Sequence, residues 1–257
     1  MPTRQPFLET QEDDAPSLDG QLFAVAALSA AQRSRMYSLL ARYFQHTTPA
    51  RFEADLAEKE WAILLTHPES DQIHGFSTLM CLPAVLDGQP VVALFSGDTI
   101  IQPEYWGSTA LPRLWASHVF DLADSLPQTR VFWFLICSGY KTYRFLPVFF
   151  RQFYPTYQQA MPAPIKNLLN CLGQQKFPTE YDPAAGVIRP VHSAPLRPGV
   201  AEITPQRLQD PHIAFFAQAN PGYANGHELA CLAEINRANL TSAGQRILRL
   251  LRQSSPP

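Results

Sequence analysis

The run Val91-Val92-Ala93-Leu94-Phe95-Ser96-Gly97-Asp98-Thr99-Ile100-Ile101-Gln102-Pro103-Glu104-Tyr105-Trp106-Gly107-Ser108-Thr109-Ala110-Leu111 decides how the rest of the chain is read. Its first half is apolar and β-branched, as a buried strand requires, and Ser96-Gly97-Asp98 interrupts it. Such an interruption marks a bulge or a close approach by another backbone or a ligand. After Ile101 come turn residues, and from there Leu111, Leu114, Trp115, Val119 and Leu122 follow helical spacing. A strand therefore runs into a small-residue turn that opens a helix. Backbone N–H groups at Gly107, Ser108, Thr109 and Ala110 are expected to converge there, with the helix dipole behind them, as a place for phosphate or another anion. The same pattern also fits an ordinary tight strand-to-helix turn, and no Gly-rich phosphate fingerprint accompanies it.

Working outward, Ser29 and Gln32 form a capping box, after which Met36, Leu39, Leu40, Tyr43 and Phe44 share one helical face. Phe52, Leu56 and Ala57 mark a second helical segment. The period then changes at Trp61-Ala62-Ile63-Leu64-Leu65, a buried strand ended by His67-Pro68. Ile73 to Leu82 is a second strand, joined to the deciding run by the turn Leu86-Asp87-Gly88-Gln89-Pro90, so three strands form an antiparallel meander. Downstream, Val131 to Cys137 is apolar throughout, as a strand covered on both faces must be. Tyr143, Leu146, Phe149, Phe150 and Phe153 continue as a helix kinked at Pro147. Residues 156–210 are rich in proline and read as an insertion with one short helix, Ile165 to Leu172. Ile213 to Ala217 and Glu228 to Ile235 then read as a closing hairpin, before a last helix capped by Thr241.

Composition narrows the function classes. The chain has 257 residues, a net charge of −2 and no Lys/Arg block, so the footprint of a nucleic-acid or anionic-membrane binder is missing. Apolar residues are 46% and charged residues 16%, against roughly 25% usual for charged residues, which excludes disorder for most of the chain. Residues 1–21 read as a disordered acidic leader, and 22–253 as a single domain. The apolar run Leu22 to Leu28 is too short to span a bilayer, and the acidic residues before it do not suit a signal peptide. Cys81, Cys137, Cys171 and Cys231 show no paired spacing and read as buried thiols, so a cytoplasmic protein is expected. His67, His74 and Cys81 are spaced by sevens but cross a turn and a strand, and no metal site is expected. His118 is a helix-surface residue or a general base. The aromatic stretch Phe145 to Tyr157 is read as core packing, its alternative being a membrane or lipid surface.

The order helix, helix, three-strand meander, turn and helix, strand, helix, final hairpin resembles the GNAT superfamily of acyl-CoA-dependent N-acyltransferases. Ile101 to Gly107 looks like that superfamily's hydrophobic, x, Pro-Glu-Tyr-Arg-Gly passage from fourth strand to pyrophosphate loop. Ser138-Gly139-Tyr140-Lys141-Thr142-Tyr143-Arg144-Phe145 looks like its later helix start near the thioester. The likeness covers roughly Leu22 to Phe153. It implies an α/β (α+β) fold with a mixed, mostly antiparallel sheet flanked by helices, the insertion preceding a C-terminal hairpin and helix. It also implies acyl-CoA as cosubstrate, held by Ile100, Ile101, Gly107, Ser108, Thr109 and Ala110. The acyl group, from CoA or an acyl carrier, would pass directly to a small-molecule amine. Asp98 is the candidate base or amine-orienting group, and Tyr143, with Tyr140 as substitute, the candidate acid. The structural alternatives are a turn-forming aspartate and a core tyrosine.

Departures from the family pattern are specific. Glu104, Gly107 and Thr109 stand at the loop's Gln or Arg, Gly, and Gly or Ala places, Trp106 stands where Arg is typical, and Leu146 sits near the usual tyrosine. These substitutions carry the alternative expectation, a catalytically silent relative acting as a ligand-binding or protein-interaction module.

Overall fold

The computed structural model describes residues 18–254. In chain order it contains β1 (Asp19–Ala24), α1 (Ala30–Tyr43), α2 (Pro49–Ala57), β2 (Trp61–His67), β3 (Ser70–Leu86), β4 (Gln89–Ile101) and α3 (Ala110–Ser125). There follow β5 (Arg130–Cys137), α4 (Tyr140–Tyr143), α5 (Phe145–Phe149), α6 (Ala163–Lys176), β6 (Tyr181–Asp182) and β7 (Val187–Ile188). The chain closes with α7 (Pro211–Ala219), β8 (Glu228–Glu234) and α8 (Ser242–Ser254). The strands form one sheet in the order β1-β2-β3-β4-β5-β8-β7-β6. Only β4 and β5 pair in parallel, because α3 carries the chain back between them; every other neighbour is antiparallel. The fold is thus α/β with a mixed, mostly antiparallel sheet, as the order of elements implies.

Alternating strand residues build two cores. On one face Ile63, Leu79, Leu94, Val131, Trp133 and Leu135 pack with Leu111, Val119 and Phe120 of α3. On the other, Ala62, Leu64, Phe76 and Ile100 pack with Met36 and Leu39 of α1 and Phe52 and Leu56 of α2. Farther along that second face, Phe95, Phe132, Phe134 and Leu232 pack with Leu168, Leu169 and Leu172 of α6. The capping box predicted at Ser29 is formed, with Gln32 N–H donating to Ser29 Oγ and Ser29 N–H donating to Gln32 Oε1.

Five expectations are corrected. Residues 1–17 of the expected leader lie outside the described residues, but Asp19, Gly20 and Gln21 belong to β1 and pair with Thr66, Leu65 and Leu64. Ile213 to Ala217 lies in α7 rather than in a strand, so β8 has no hairpin partner there. The Asp210 carboxylate accepts from His212 and Ile213 N–H, and Pro211 occupies the first turn, so a helix start outweighs a short apolar run. The stretch 156–210 is part of the sheet and core, since it supplies α6 over one face and β7 as the antiparallel neighbour of β8. The helix expected from Tyr143 to Phe153 is two short pieces, α4 and α5. Pro147 lacks the N–H that would bond the Tyr143 carbonyl and its ring crowds that carbonyl, so the helix restarts instead of bending. Of the four free cysteines, Cys137 and Cys231 are buried, Cys81 is half-buried and Cys171 is exposed.

The feature that positions the site is where β4 leaves β5. Their parallel register runs from Val91 opposite Arg130 to Ser96 opposite Leu135 and stops. β4 continues to Ile101 bonded only to β3, while β5 continues to Cys137 beside β8. On the β3 side, Leu79 faces Ser96 but Ser77 faces Thr99, so Gly97-Asp98 contains one residue too many: this is the bulge expected from the sequence. A Cβ at Gly97 would lie 2.6 Å from Thr78 Oγ1 and 2.8 Å from Lys59 Cε, so any larger residue forces one of those side chains to move.

Candidate functional site

Beyond the bulge, the two strands diverge into one arm of an open cavity of about 2210 Å³ in all, which runs on past α1, α2 and α8. Gly97, Asp98, Thr99 and Ile101 line its β4 wall, and Ile136, Ser138, Tyr140 and Lys141 line the wall that continues from β5 into α4. The turn Trp106 to Ala110 stands at its mouth. Along the edge of β4 that faces the cleft, alternate backbone N–H and C=O groups have lost their partner strand.

Asp98 and Glu228 share this face of the sheet with Phe95, Ile136 and α6. Burial, reinforced by the charge of Asp55, raises the Asp98 carboxyl to about 7, with Lys59 opposing the shift. Burial likewise raises Glu228 to about 7, although it accepts a hydrogen bond from the Ser138 hydroxyl. Each is therefore poised to exchange a proton near neutral pH. Two cations stand beside them. The Lys59 side chain is fully buried, 2.7 Å from Asp55 Oδ1, and its ammonium is 5.7 Å from the centre of the Phe95 ring. Lys176, paired with Glu58, approaches the same ring at 5.5 Å.

The turn before α3 supplies fewer free amides than expected. Ser108 N–H donates to the Tyr105 carbonyl and Ala110 N–H to Ser108 Oγ, so both are engaged within the turn. The Thr109 side chain makes no capping bond. Gly107 and Thr109 line the cleft and carry the remaining amides of the four. Where the family pattern has Arg, the Trp106 indole N–H donates to the Ile101 carbonyl at 2.8 Å and its ring receives the Lys141 ammonium at 3.8 Å. A cation thus reaches the mouth from α4 in place of the loop. Glu104 is exposed and acts on Tyr43, whose hydroxyl pKa is raised by burial and then by that carboxylate; Glu104 is not among the cleft-lining residues.

The sequence candidates divide accordingly. Asp98, Ile100, Ile101, Gly107, Ser108, Thr109 and Ala110 all line the cleft, although Ile100 is mostly committed to the core with α1 and α2. Tyr143 does not. It is fully buried, its hydroxyl donates to the Pro155 carbonyl at 2.9 Å, and burial pushes its pKa far upward, so it occupies the core-tyrosine alternative. Tyr140, its substitute, does line the cleft. His118 packs edge-on to Trp61, 4.6 Å between ring centres, outside the cleft lining, and its pKa is lowered by burial. His74 Nδ1 lies 2.7 Å from Gln102 Oε1, and among the described residues no group of three His, Cys, Asp or Glu is arranged to hold a metal ion. In the stretch Phe145 to Tyr157, Leu146, Phe150 and Phe153 are core residues, and Tyr157 is exposed. Lys59 and Glu228 are not among the sequence candidates, and Ser138 and Lys141 enter there only within the segment Ser138 to Phe145, with no role of their own. Their only signal there is position, at an element's end next to an apolar strand.

No family model and no curated protein matches the chain. Among solved structures, it is similar to a probable N-acyltransferase of unknown function from Enterococcus faecalis V583, with 17% identity and a TM-score of 0.40. That match covers 52% of this chain and 33% of the other, so the chain spans about a third of that protein's length. It is also similar to the GNAT family N-acetyltransferase YhbS of Escherichia coli, solved in complex with CoA, with 17% identity, a TM-score of 0.34, and coverage of 51% and 69%. A third is the glucosamine-6-phosphate N-acetyltransferase of Arabidopsis thaliana, with 13% identity, a TM-score of 0.37, and coverage of 56% and 98%. Among the described residues no helix is long and apolar enough to cross a membrane.

Proposed function

We propose that this chain is an N-acyltransferase that moves an acyl group from acyl-CoA, or from an acyl carrier, to a small-molecule amine. The observation that carries the reading is the parting of β4 and β5 after Ser96 and Leu135, with Asp98 inside the opening and the amides of Gly107 and Thr109 at its mouth. A pantetheine arm is an extended chain of amides, and the unpaired edge of β4 offers it a strand-like partner. The pyrophosphate then meets the start of α3, with the Lys141 ammonium alongside.

In this reading the amine nitrogen attacks the thioester carbonyl and forms the new C–N bond. A backbone N–H of β4 next to the bulge donates to the developing oxyanion. Asp98 accepts the proton that nitrogen releases, a task suited to a carboxyl titrating near 7. The C–S bond breaks, and the departing thiolate takes a proton from Tyr140 or from solvent. No covalent enzyme intermediate is required. The reading assigns one catalytic unit that begins no later than β1 at Asp19 and a reducing cytoplasmic setting, in keeping with four unpaired cysteines.

A silent ligand-binding module is the second reading, favoured by Trp106 in the loop and by the internal bonds of Ser108 and Ala110. Thermal unfolding with and without acetyl-CoA, followed by thiol release against a panel of amines, separates the two. A stability shift with turnover supports the transferase, a shift without turnover supports a module that binds acyl-CoA, and no shift at millimolar acyl-CoA removes the transferase and favours a silent module with another ligand or partner.

A further inference from the structure

We infer that the chamber enclosed by α3, α5 and α8 beside the bulge is a seat for the acyl chain, and that the donor carries a chain several carbons longer than acetyl. The inference rests on the acyltransferase reading and specifies its donor. The chamber measures about 70 Å³ and is walled by Trp115, Trp133, Phe145, Phe149, Leu240 and Leu248. It adjoins the cleft next to the bulge, where the proposed function puts the thioester, since Thr99, Pro112, Thr142 and Phe145 border both the chamber and the cleft.

Its polar rim is already satisfied. Ser77 Oγ and Thr99 Oγ1 are hydrogen-bonded to each other at 2.8 Å, and Ser96 Oγ accepts from two indoles. A buried water needs two to four polar partners, so this space favours hydrocarbon over water. An apolar cavity of about 150 Å³ holds the six carbons of benzene, so this one accommodates about three. That volume matches the methylenes of a butyryl-to-hexanoyl chain beyond its first two carbons. The walls come from α3 (Trp115), β5 (Trp133), α5 (Phe145 and Phe149), α8 (Leu248) and Leu240 just before α8, so the chamber lies between the sheet and these helices. Phe145 and Phe149 stack with ring centres 6.0 Å apart and form one side of the seat.

Titration calorimetry of the full chain with CoA, acetyl-CoA and hexanoyl-CoA tests this directly. Each seated methylene is worth about a four-fold gain in affinity, so hexanoyl-CoA is expected to bind roughly 50-fold more tightly than acetyl-CoA. Ala116→Leu, which fills the chamber from α3, and Leu248→Trp, which fills it from α8, are each expected to bring the hexanoyl-to-acetyl ratio close to one. Equal affinities in the native chain, with both thioesters bound, overturn the acyl seat and leave the transferase reading intact. The inference also falls if either variant, shown to be folded by thermal unfolding, keeps the 50-fold preference. Failure to bind CoA or either thioester overturns the transferase reading and the acyl seat together.

Discussion

The Trp133 indole N–H donates to Ser96 Oγ at 2.8 Å, and Ser96 is the last residue of β4 that pairs with β5. Trp115 of α3 donates to the same oxygen at 3.2 Å, so one hydroxyl ties both strands and the following helix together at the apex of the cleft. Farther along, nothing in the sheet opposes the separation. The apex bond and the bulge beyond it therefore define the angle at which the walls diverge.

Replacing Ser96 by Ala leaves the buried Trp133 N–H without its acceptor and the Trp115 N–H dependent on solvent. Leaving a buried donor unpaired costs about 1–3 kcal/mol, so S96A is expected to unfold at lower urea with an unchanged slope. A stability equal to the native chain would show that the apex bond is not needed to hold the strands.

Asp98 and Glu228 have raised carboxyl pKa values, so their effect on stability has a definite sign. Between an unfolded value near 4 and a folded value of about 7, the folded chain holds protons that the unfolded chain has released. Their contribution is most favourable below pH 4 and is lost as pH rises through 7. D98N and E228Q remove the penalty and are expected to stabilise the chain at pH 8 relative to pH 5, read from urea midpoints at the two values. If stability moves equally at both, the carboxyls are not titrating as stated.

The transferase reading predicts a different pH signature for turnover. The rate should climb through pH 7 as Asp98 loses its proton, and D98N should lower it by about 10²- to 10⁴-fold and flatten that limb. Full activity in D98N, measured by thiol release, would remove Asp98 as the base.

Thr109 is exposed at the cleft mouth, so Thr109→Arg should fold normally. Its side chain would fill the space assigned to the pyrophosphate and abolish the thermal shift produced by acetyl-CoA. Retained binding would place the anion elsewhere.

Gly97→Ala probes the bulge. The added methyl meets Thr78 Oγ1 and the Lys59 stem, and overpacking of this kind costs about 1–3 kcal/mol. G97A is expected to lower the melting temperature and to displace Asp98 enough to reduce turnover. A fully stable, fully active G97A would show that Lys59 moves aside freely.

Much of this architecture is legible in local order along the chain. The apolar runs at Trp61 to Leu65 and Val131 to Cys137, the Ser29 capping box, and the interruption at Ser96-Gly97-Asp98 each depend on neighbours a few residues away, and each appears where it was read. Local patterns failed where long-range packing or one backbone donor outweighed them. Ile213 to Ala217 has the composition of a strand but begins after a capping Asp210 and a proline. Tyr143 and Tyr140 are equally polar in sequence and both are buried, and the packing of Phe153, Phe215 and Phe216 around Tyr143 separates the tyrosine closed off in the core from the one that still borders the cleft.

The amino-acid order alone was enough for the strand-turn-helix passage, the bulge and the place of Asp98, because periodicity, glycine sterics and turn chemistry act over short distances. Folding in three dimensions was needed to bring Glu228 and Ser138 to the same face as Asp98, more than a hundred residues away along the chain for Glu228. It also supplied Lys59 from the segment that follows α2, brought the Lys141 ammonium to Trp106 from α4, and formed the apolar chamber between the sheet and three separate helices. Those relationships depend on solvent exclusion between distant segments, a property of the assembled sheet and of no single stretch.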